Sequence, residues 1–254
     1  MLSYLPLAHI YGRLGEHVTM WAGGSIGYFH GNILEIVDDL KALRPTIFFS
    51  VPRLFQRFYS VIQASTIEAP GVKGALSRHI VSTKLATMKS VPGGSGGTNK
   101  HMLYDKIWGK KVAAAMGLDR AHGMVSGSAP IDGRVLDFLR IVFSNNFIQG
   151  YGLTETYAVA IGQLVQDNTA GSCGGPAMPV EVCLRSVPEM DYTVEDKPHP
   201  RGELLIRGPI LFREYFREPE MTRAAIDEEG WFATGDICSV DEYGKFSIID
   251  RVKK

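Results

Sequence analysis

The segment 149–156, QGYGLTET, brings together side chains that can bind a nucleotide. Its two glycines allow a sharp backbone turn and a close approach to a ligand. The Thr154 hydroxyl can donate to a phosphate oxygen, and Glu155 offers the hard carboxylate oxygen that Mg²⁺ takes together with phosphate groups. The Tyr151 ring can stack on a flat base. The binding candidates here are Gln149, Gly150, Tyr151 and Gly152, and the catalytic candidates are Thr154 and Glu155.

A second polar motif, WFATGD, ends at Asp236. An aspartate after a Thr-Gly pair can accept hydrogen bonds from both hydroxyls of a ribose, as carboxylates do in dinucleotide sites. The alternative is a capped β-turn, because Asp and Gly are frequent in turns. Arg251 and Lys253 follow in the run DRVKK, for which the alternative is a solvated basic segment. Asp236 and Arg251 are therefore candidates for binding a nucleotide.

Two segments earlier in the chain add further candidates. Small residues at 127–130, GSAP, would let the backbone approach a base closely, although such a run is also typical of an ordinary strand-to-helix turn. His9 lies within SYLPLAHIYGR, and a lone histidine is more often structural than functional. The candidates of the first segment are Gly127, Ser128, Ala129 and Pro130.

The elements that must position these residues follow from the spacing of apolar side chains. Asn32 and Glu35 form a helix-starting capping pair. Helical spacing predicts helices after this pair, from Pro52 onwards, and at 75–88, 102–116 and 135–143. Apolar runs predict strands at 46–51, at the start of 122–130, and at 147–152, 180–184, 203–207 and 245–249. The predicted apolar side of the helix from Pro52 comprises Leu54, Phe55, Phe58, Val61 and Ile62.

Strand, helix and strand in succession predict an α/β fold with a parallel-type sheet, and the short strands after about 170 predict a small β-rich subdomain. The glycine-rich run 92–100 predicts a surface loop between helices. It superficially resembles a phosphate-binding loop, but it lacks the GxxxxGK[ST] frame and no good strand precedes it.

Composition excludes several classes of function. The 27 basic and 27 acidic residues balance, so no overall field favours nucleic acid as a partner. The three cysteines show neither metal-like nor disulfide-like spacing, which is typical of reduced thiols in an intracellular protein. No apolar stretch approaches the length of a membrane-spanning helix, and no signal-peptide pattern is present at the start.

Three runs together, SYLPLAHIYGR, QGYGLTET and EGWFATGD with KFSIIDR, resemble the adenylate-forming ligases, and most closely the long-chain fatty acyl-CoA synthetases. The resemblance covers nearly the whole chain. It implies part of the large N-terminal domain of such a ligase, with layered parallel-type sheets and helices plus a small β-rich subdomain. The implied boundaries are 1–170 for the α/β part, 171–250 for the β-rich subdomain and 251–254 for the start of a hinge.

The resemblance also implies a role for each candidate. Tyr151 would lie against adenine, and Thr154 would contact the α-phosphate or the acyl carbonyl. Glu155 would hold magnesium, and Asp236 would bind the ribose. Arg251 would hold the ribose or a phosphate, and Lys253 would lie where the C-terminal domain swivels. His9 would lie beside the substrate carboxylate, and the 127–130 turn would border the adenine.

The implied reaction joins a fatty acid to coenzyme A in two steps, with ATP and Mg²⁺. An ATP-dependent step forms acyl-AMP, and the thiol of coenzyme A then takes the acyl group. The alternatives are another adenylating ligase acting on aryl or amino acids, and a non-catalytic nucleotide- or acyl-binding remnant. We expect the family's upstream phosphate loop and downstream domain to lie outside this sequence.

The family resemblance implies an intracellular location, at the endoplasmic reticulum, another organelle membrane or the peroxisome. Any peripheral membrane association would act through segments outside residues 1–254.

Overall fold

The computed structural model describes residues 1–91, 97–165 and 167–252. The chain forms two compact units, one made of 1–148 and 165–171, the other of 149–164 and 172–254. Most of the predicted loop at 92–100 and the predicted hinge residue Lys253 lie outside the described residues. Across the described part of the chain, no helix has both the length and the apolar character needed to cross a bilayer.

The first unit contains most of the helices. Its strands are β1 (Leu2–Ser3), β2 (Gly27–Tyr28), β3 (Ile47–Ser50) and β4 (Gly123–Ser126), and β5 (Asn146–Tyr151) begins there and continues into the second unit. Its helices are α1 (Ile10–Trp21), α2 (Ile36–Leu43), α3 (Pro52–Ser65), α4 (Gly71–Met88), α5 (Met102–Tyr104), α6 (Lys110–Ala115) and α7 (Gly133–Phe143), with a π-helical turn, Asp105–Gly109, between α5 and α6. The parallel pairs β1–β2 and β3–β4 confirm the predicted α/β character.

Local sequence explains the helix ends of this unit. The Asn32 side chain accepts the Leu34 N–H and starts a short 3₁₀ turn that leads into α2. α2 ends where Arg44 adopts a left-handed conformation, φ 50°, immediately before Pro45. The predicted cap at Asn32 is therefore confirmed, because its amide oxygen supplies an acceptor for a backbone N–H at the helix start. Its predicted partner Glu35 makes no cap hydrogen bond and instead lies 2.9 Å from the His30 ring.

An aromatic cluster joins α3 to the sheet. The rings of Phe55 and Phe58 on α3 lie 6.1 and 6.2 Å from the ring of Phe48 on β3, and Phe147 lies 4.5 Å from Phe55. All four side chains are at most 2% exposed. The predicted apolar side of α3 was wrong for Val61 alone, which is 51% exposed because it borders an open cavity instead of the aromatic core.

Lys84, on α4, is a fully buried cation that joins three elements. Its ammonium group pairs with Asp105 and donates to the Ile141 carbonyl at 2.6 Å and to the Ser144 hydroxyl at 2.7 Å. Burial lowers the pKa of Lys84, and the neighbouring Asp105 opposes that shift. The group therefore depends on its partners, since an unpaired charge in this position would be strongly destabilising.

Replacing Lys84 with methionine should lower the free energy of unfolding by about 3 kcal/mol, because Asp105 loses its counter-charge in a mostly buried site. Urea-induced unfolding measures the difference. The matched control is Lys110→Met, which removes an exposed cation and should change the free energy by less than about 0.5 kcal/mol. Equal effects of the two substitutions would show that the buried pair contributes nothing to stability.

The second unit is built from antiparallel strands. They are β6 (Ile161–Gly162), β7 (Gly175–Pro176), β8 (Glu181–Arg185), β9 (Arg201–Arg207), β10 (Phe232–Val240) and β11 (Phe246–Arg251), with one helix, α8 (Pro219–Ala225), among its described residues. The last four strands form one sheet in the order β11–β10–β9–β8. Its core includes Ala160, Ile161, Leu204, Ile206, Cys238 and Phe246.

This sheet differs from the prediction at one strand. No strand was predicted at 231–236, but Phe232–Val240 form the nine-residue strand β10. The apolar pattern does not predict this strand, because Gly235 interrupts it. Arg251 likewise belongs to β11, opposite Asp236 in the register of the sheet.

Candidate functional site

The end of β5 turns sharply at the QGYGLTET motif. A Cβ atom at Gly152 would lie 2.3 Å from the Ala158 carbonyl oxygen, so only glycine fits between these two stretches of backbone. The residues Thr154–Thr156 form a 3₁₀ turn, in which the Leu153 N–H donates to the Thr156 hydroxyl at 2.8 Å. This turn leaves Thr154 exposed and Glu155 half-buried.

Gln149 and Gly150 support this turn from within β5. The Gln149 amide group donates to the Ser172 carbonyl at 2.6 Å, and its backbone N–H donates to the Gln163 side chain at 2.9 Å. Gly150 pairs with Gly162 across the β5–β6 ladder. The Gln149 side chain is therefore hydrogen-bonded within the protein and holds the end of β5 in place.

Tyr151, Asp236 and Arg251 form one connected cluster. The Tyr151 hydroxyl donates to Asp236 Oδ2 at 2.5 Å, and Arg251 Nε lies 3.0 Å from Asp236 Oδ1. The Asp236 side chain is 10% exposed, whereas that of Arg251 is 71% exposed. Each oxygen of an ionised carboxylate accepts about two hydrogen bonds. Asp236 can therefore hold these protein donors and still accept hydroxyl groups of a ligand.

An irregularity in β10 orients Asp236. The register with β9 shifts between Ala233 and Ile237, and Gly235 has φ 73°, in the left-handed region that favours glycine. The Thr234 hydroxyl donates to the Leu204 carbonyl at 2.8 Å and accepts the Asp236 N–H at 3.1 Å. Such bulges redirect side chains next to functional sites. The Thr-Gly pair of WFATGD therefore has a structural role in presenting Asp236.

The environment of Tyr151 keeps its hydroxyl protonated. Burial raises the pKa of Tyr151 far above its ordinary value, and the adjacent Asp236 carboxylate raises it further. A neutral phenol beside an ionised carboxylate remains a hydrogen-bond donor across the physiological pH range. Tyr151 therefore positions Asp236 through its hydroxyl, and the residue is partly buried, packed against the core of the second unit.

A loop that the sequence did not single out holds Glu155. The Tyr215 hydroxyl donates to Glu155 Oε1 at 2.8 Å, and the Phe212 N–H donates to the Glu155 carbonyl at 2.8 Å. Burial, followed by the Glu155 carboxylate, raises the pKa of Tyr215 to about 12. Tyr215 lies about 60 residues from the motif, so no local spacing pattern could have identified it.

The described residues contain no group of three or more His, Cys, Asp or Glu side chains arranged to hold a metal ion. A single half-buried carboxylate at Glu155 nevertheless fits the way Mg²⁺ is bound, because this ion takes one or two carboxylates together with substrate phosphates and water.

The first unit holds the remaining predicted residues. His9 is the N-cap of α1, where its Nδ1 accepts the Tyr11 N–H at 3.1 Å, so the neutral ring carries its proton on Nε2.

The side chain of Tyr11 packs beside the 127–130 turn. The Tyr11 hydroxyl donates to the Val125 carbonyl at 2.8 Å. A Cβ atom at Gly127 would lie 3.0 Å from the Tyr11 ring, so this glycine lets the backbone pass the ring closely. Tyr11, which the sequence analysis did not single out, therefore packs against the start of the 127–130 turn.

The turn after Gly127 contains a strained residue. Ser128 has φ 71°, a conformation that side-chain-bearing residues rarely adopt, and residues 128–130 (Ser128, Ala129, Pro130) are exposed. Backbone strain of this kind accumulates at ligand-binding turns. Within the described residues, the structure thus groups Tyr151, Asp236 and Arg251 in the second unit, and it places His9 and the 127–130 turn in the first.

Comparison with known proteins identifies the family. The sequence pattern described as "AMP-binding enzyme" matches residues 1–216. The chain belongs to the AMP-binding enzyme family. It is 61% identical over 251 residues to "Acyl-CoA ligase 891, peroxisomal" of Penicillium roqueforti, covering 99% of this chain and 35% of that protein. It is 39% identical over 252 residues to "Long chain acyl-CoA synthetase 6, peroxisomal" of Arabidopsis thaliana, and the match covers 99% of this chain and 35% of that protein.

Solved structures of AMP-binding enzymes have the same fold. The adenylation and carrier didomain of the carboxylic acid reductase of Segniliparus rugosus, in complex with AMP, matches with a TM-score of 0.72 at 25% identity. The match covers all of this chain and 30% of that one. The resemblance to the N-terminal domain of adenylate-forming ligases is thereby confirmed. This AMP-binding chain spans about a third of the length of the curated relatives it matches.

Proposed function

We propose that this chain is the nucleotide-binding part of a long-chain fatty acid–CoA ligase. The observation that carries the proposal is the cluster of Tyr151, Asp236 and Arg251, in which two separate strands present one carboxylate and one cation together. The close sequence similarity to acyl-CoA ligases supports the choice of reaction. We propose this activity for a protein as long as these acyl-CoA ligases, of which the present chain covers about a third.

Asp236 accepts the two ribose hydroxyls of ATP in this proposal. Tyr151 contacts one oxygen of the carboxylate and Arg251 the other, so the carboxylate loses little conformational freedom when the nucleotide binds. The ring of the partly buried Tyr151 lies against the adenine, and the exposed Arg251 side chain reaches the ribose or a phosphate.

Glu155 and Thr154 act at the phosphates. Thr154 donates its hydroxyl to an α-phosphate oxygen or to the acyl carbonyl. Glu155 would hold Mg²⁺, which neutralises phosphate charge when bound. Tyr215 fixes the direction of the Glu155 carboxylate by donating to one of its oxygens. His9 donates through Nε2 to the substrate carboxylate or to a phosphate, because its Nδ1 already accepts a backbone N–H.

The proposed reaction has two displacement steps. A carboxylate oxygen attacks the α-phosphorus of ATP, and the bond to pyrophosphate breaks. The sulfur of coenzyme A then attacks the acyl carbon, and AMP leaves. The protein's cysteines are unsuited to covalent catalysis, because burial raises the pKa of all three: that of Cys173 to about 11, that of Cys238 higher still, and that of Cys183 above its ordinary value.

We place this reaction in the peroxisome, since the Penicillium and Arabidopsis relatives named above carry that location in their names. A fatty carboxylate activated there would be held in an apolar channel. The chain length that such a channel prefers depends on the fit of its apolar walls, where one methylene changes the binding free energy by about 1–3 kcal/mol.

The test is ATP–pyrophosphate exchange by the full translation product that contains this chain. We expect exchange that depends on a long-chain acid such as palmitate and falls to background with benzoate or phenylalanine. Exchange driven by benzoate or phenylalanine would assign the protein to another class of adenylating ligase. Background exchange with every acid, combined with measurable AMP binding, would leave a non-catalytic nucleotide-binding role.

A further inference from the structure

The first unit contains an apolar cavity of about 510 Å³ between α2, α3, α4 and the π-helical turn with α6. Its floor is formed by side chains that are fully or nearly buried, among them Phe58, Ile62, Trp108 and Met116. None of the predicted nucleotide-site residues lines it. The volume lies within the range of about 300–1,000 Å³ that is typical of small-molecule sites.

The mouth of the cavity leaves large apolar side chains in water. Val61, Leu76 and Ile107 are 51%, 43% and 39% exposed, and they come from three different elements. Large exposed apolar side chains grouped around one cavity indicate a surface that a ligand or partner covers. Because the surface is concave and leads into a cavity, it fits the chain of a small molecule better than a flat membrane.

Three lysines, Lys41, Lys73 and Lys111, border the same cavity. All three are exposed, and among the described residues that line the cavity there is no aspartate or glutamate. Lys41 has a long, exposed contact of 3.9 Å with Asp38, which is too weak to neutralise the group. The rim is therefore cationic while the interior is apolar.

We propose that this cavity binds a second ligand, a long-chain amphipathic anion, whose apolar chain enters the cavity and whose head group meets Lys73 and Lys111. Both a free fatty carboxylate and an acyl chain esterified to an anionic carrier have this chemistry. Long cationic side chains at the edge of an apolar cavity suit such a ligand, because their stems cover apolar surface while their ammonium groups remain in water. The site does not depend on the nucleotide site, and its occupancy can be measured without ATP.

Trp108 provides a local probe. It lines the cavity and is 8% exposed, whereas the other two tryptophans of the chain, Trp21 and Trp231, do not line it. In a Trp21→Phe, Trp231→Phe background, dibromostearate should quench the Trp108 emission by more than half, and stearate should compete with the quenching. A parallel titration uses the dibromostearoyl thioester of coenzyme A. The tighter binder of the two, the free acid or the thioester, identifies the source of the ligand.

The lysines test the head-group assignment. Lys73→Gln with Lys111→Gln should raise the Kd for dibromostearate about three- to tenfold, a size expected for two exposed charge pairs. The matched control is Lys106→Gln with Lys110→Gln, which removes two exposed cations from the helical stretch that carries Lys111. Neither of them lines the cavity, so the Kd should remain unchanged. Absence of quenching up to the solubility limit would overturn the proposal. So would an unchanged Kd in the Lys73 and Lys111 variant, or quenching that requires vesicles of brominated phospholipid.

Discussion

Replacing Asp236 with asparagine should weaken AMP binding about a hundredfold, because hydrogen bonds to a charged acceptor contribute about 1.5–3 kcal/mol each and two ribose hydroxyls are involved. Asparagine has nearly the shape of aspartate, but it lacks the charge that faces Arg251 and offers one acceptor oxygen in place of two. Isothermal titration calorimetry of AMP with the 254-residue chain measures the change.

A matched substitution separates binding from stability. Glu242→Gln removes an exposed carboxylate elsewhere in the second unit and should leave the AMP Kd unchanged. Because Asp236 is buried and paired with Tyr151, the thermal transition of Asp236→Asn must be recorded as well. A folded Asp236→Asn protein that binds AMP as tightly as the original chain would contradict the proposed ribose contact.

Replacing Glu155 with glutamine should reduce ATP–pyrophosphate exchange by about a hundredfold or more while the Kd for AMP changes by less than about threefold. In the proposed site, Glu155 would hold a magnesium ion at the phosphates that leave as pyrophosphate, whereas the proposed contacts to adenine and ribose would set the AMP Kd. Exchange is measured in the full translation product, at a saturating concentration of palmitate.

The neighbouring residues provide the controls for Glu155. Glu214→Gln removes an exposed carboxylate beside Tyr215 and should leave exchange unchanged. Tyr215→Phe removes the hydrogen bond to Glu155 but keeps the carboxylate, so exchange should fall by about tenfold, the effect of one lost positioning contact. Full exchange by Glu155→Gln would exclude any role for this carboxylate in adenylation.

Local patterns in the sequence predicted most elements of the first unit. α7 and the strand at β3 were predicted to within a few residues, since their apolar residues recur at clear helical or strand spacing. The π-helical turn between α5 and α6 was not predicted, and its first residue, Asp105, pairs with the buried Lys84 of α4. That contact joins residues 21 positions apart.

The candidate site was predictable in its residues but not in its connections. The motif residues Tyr151 and Asp236 are evident in the sequence, yet their hydrogen bond joins residues 85 positions apart. Asp236 also lies at a bulge of β10, a strand that was not predicted because Gly235 interrupts its apolar pattern. Tyr215 was missed for the same reason, because its relation to Glu155 exists only once the 212–215 loop folds against the motif. Side chains that orient other side chains leave no periodic signal.

The most direct test of the nucleotide-binding account is a crystal structure of the chain with an alkyl sulfamoyl adenosine, a stable analogue of acyl-AMP. The account predicts that both ribose hydroxyls lie within hydrogen-bonding distance of the Asp236 carboxylate, with the adenine against the Tyr151 ring. A nucleotide bound elsewhere on the protein, or a ribose that does not contact Asp236, would contradict it.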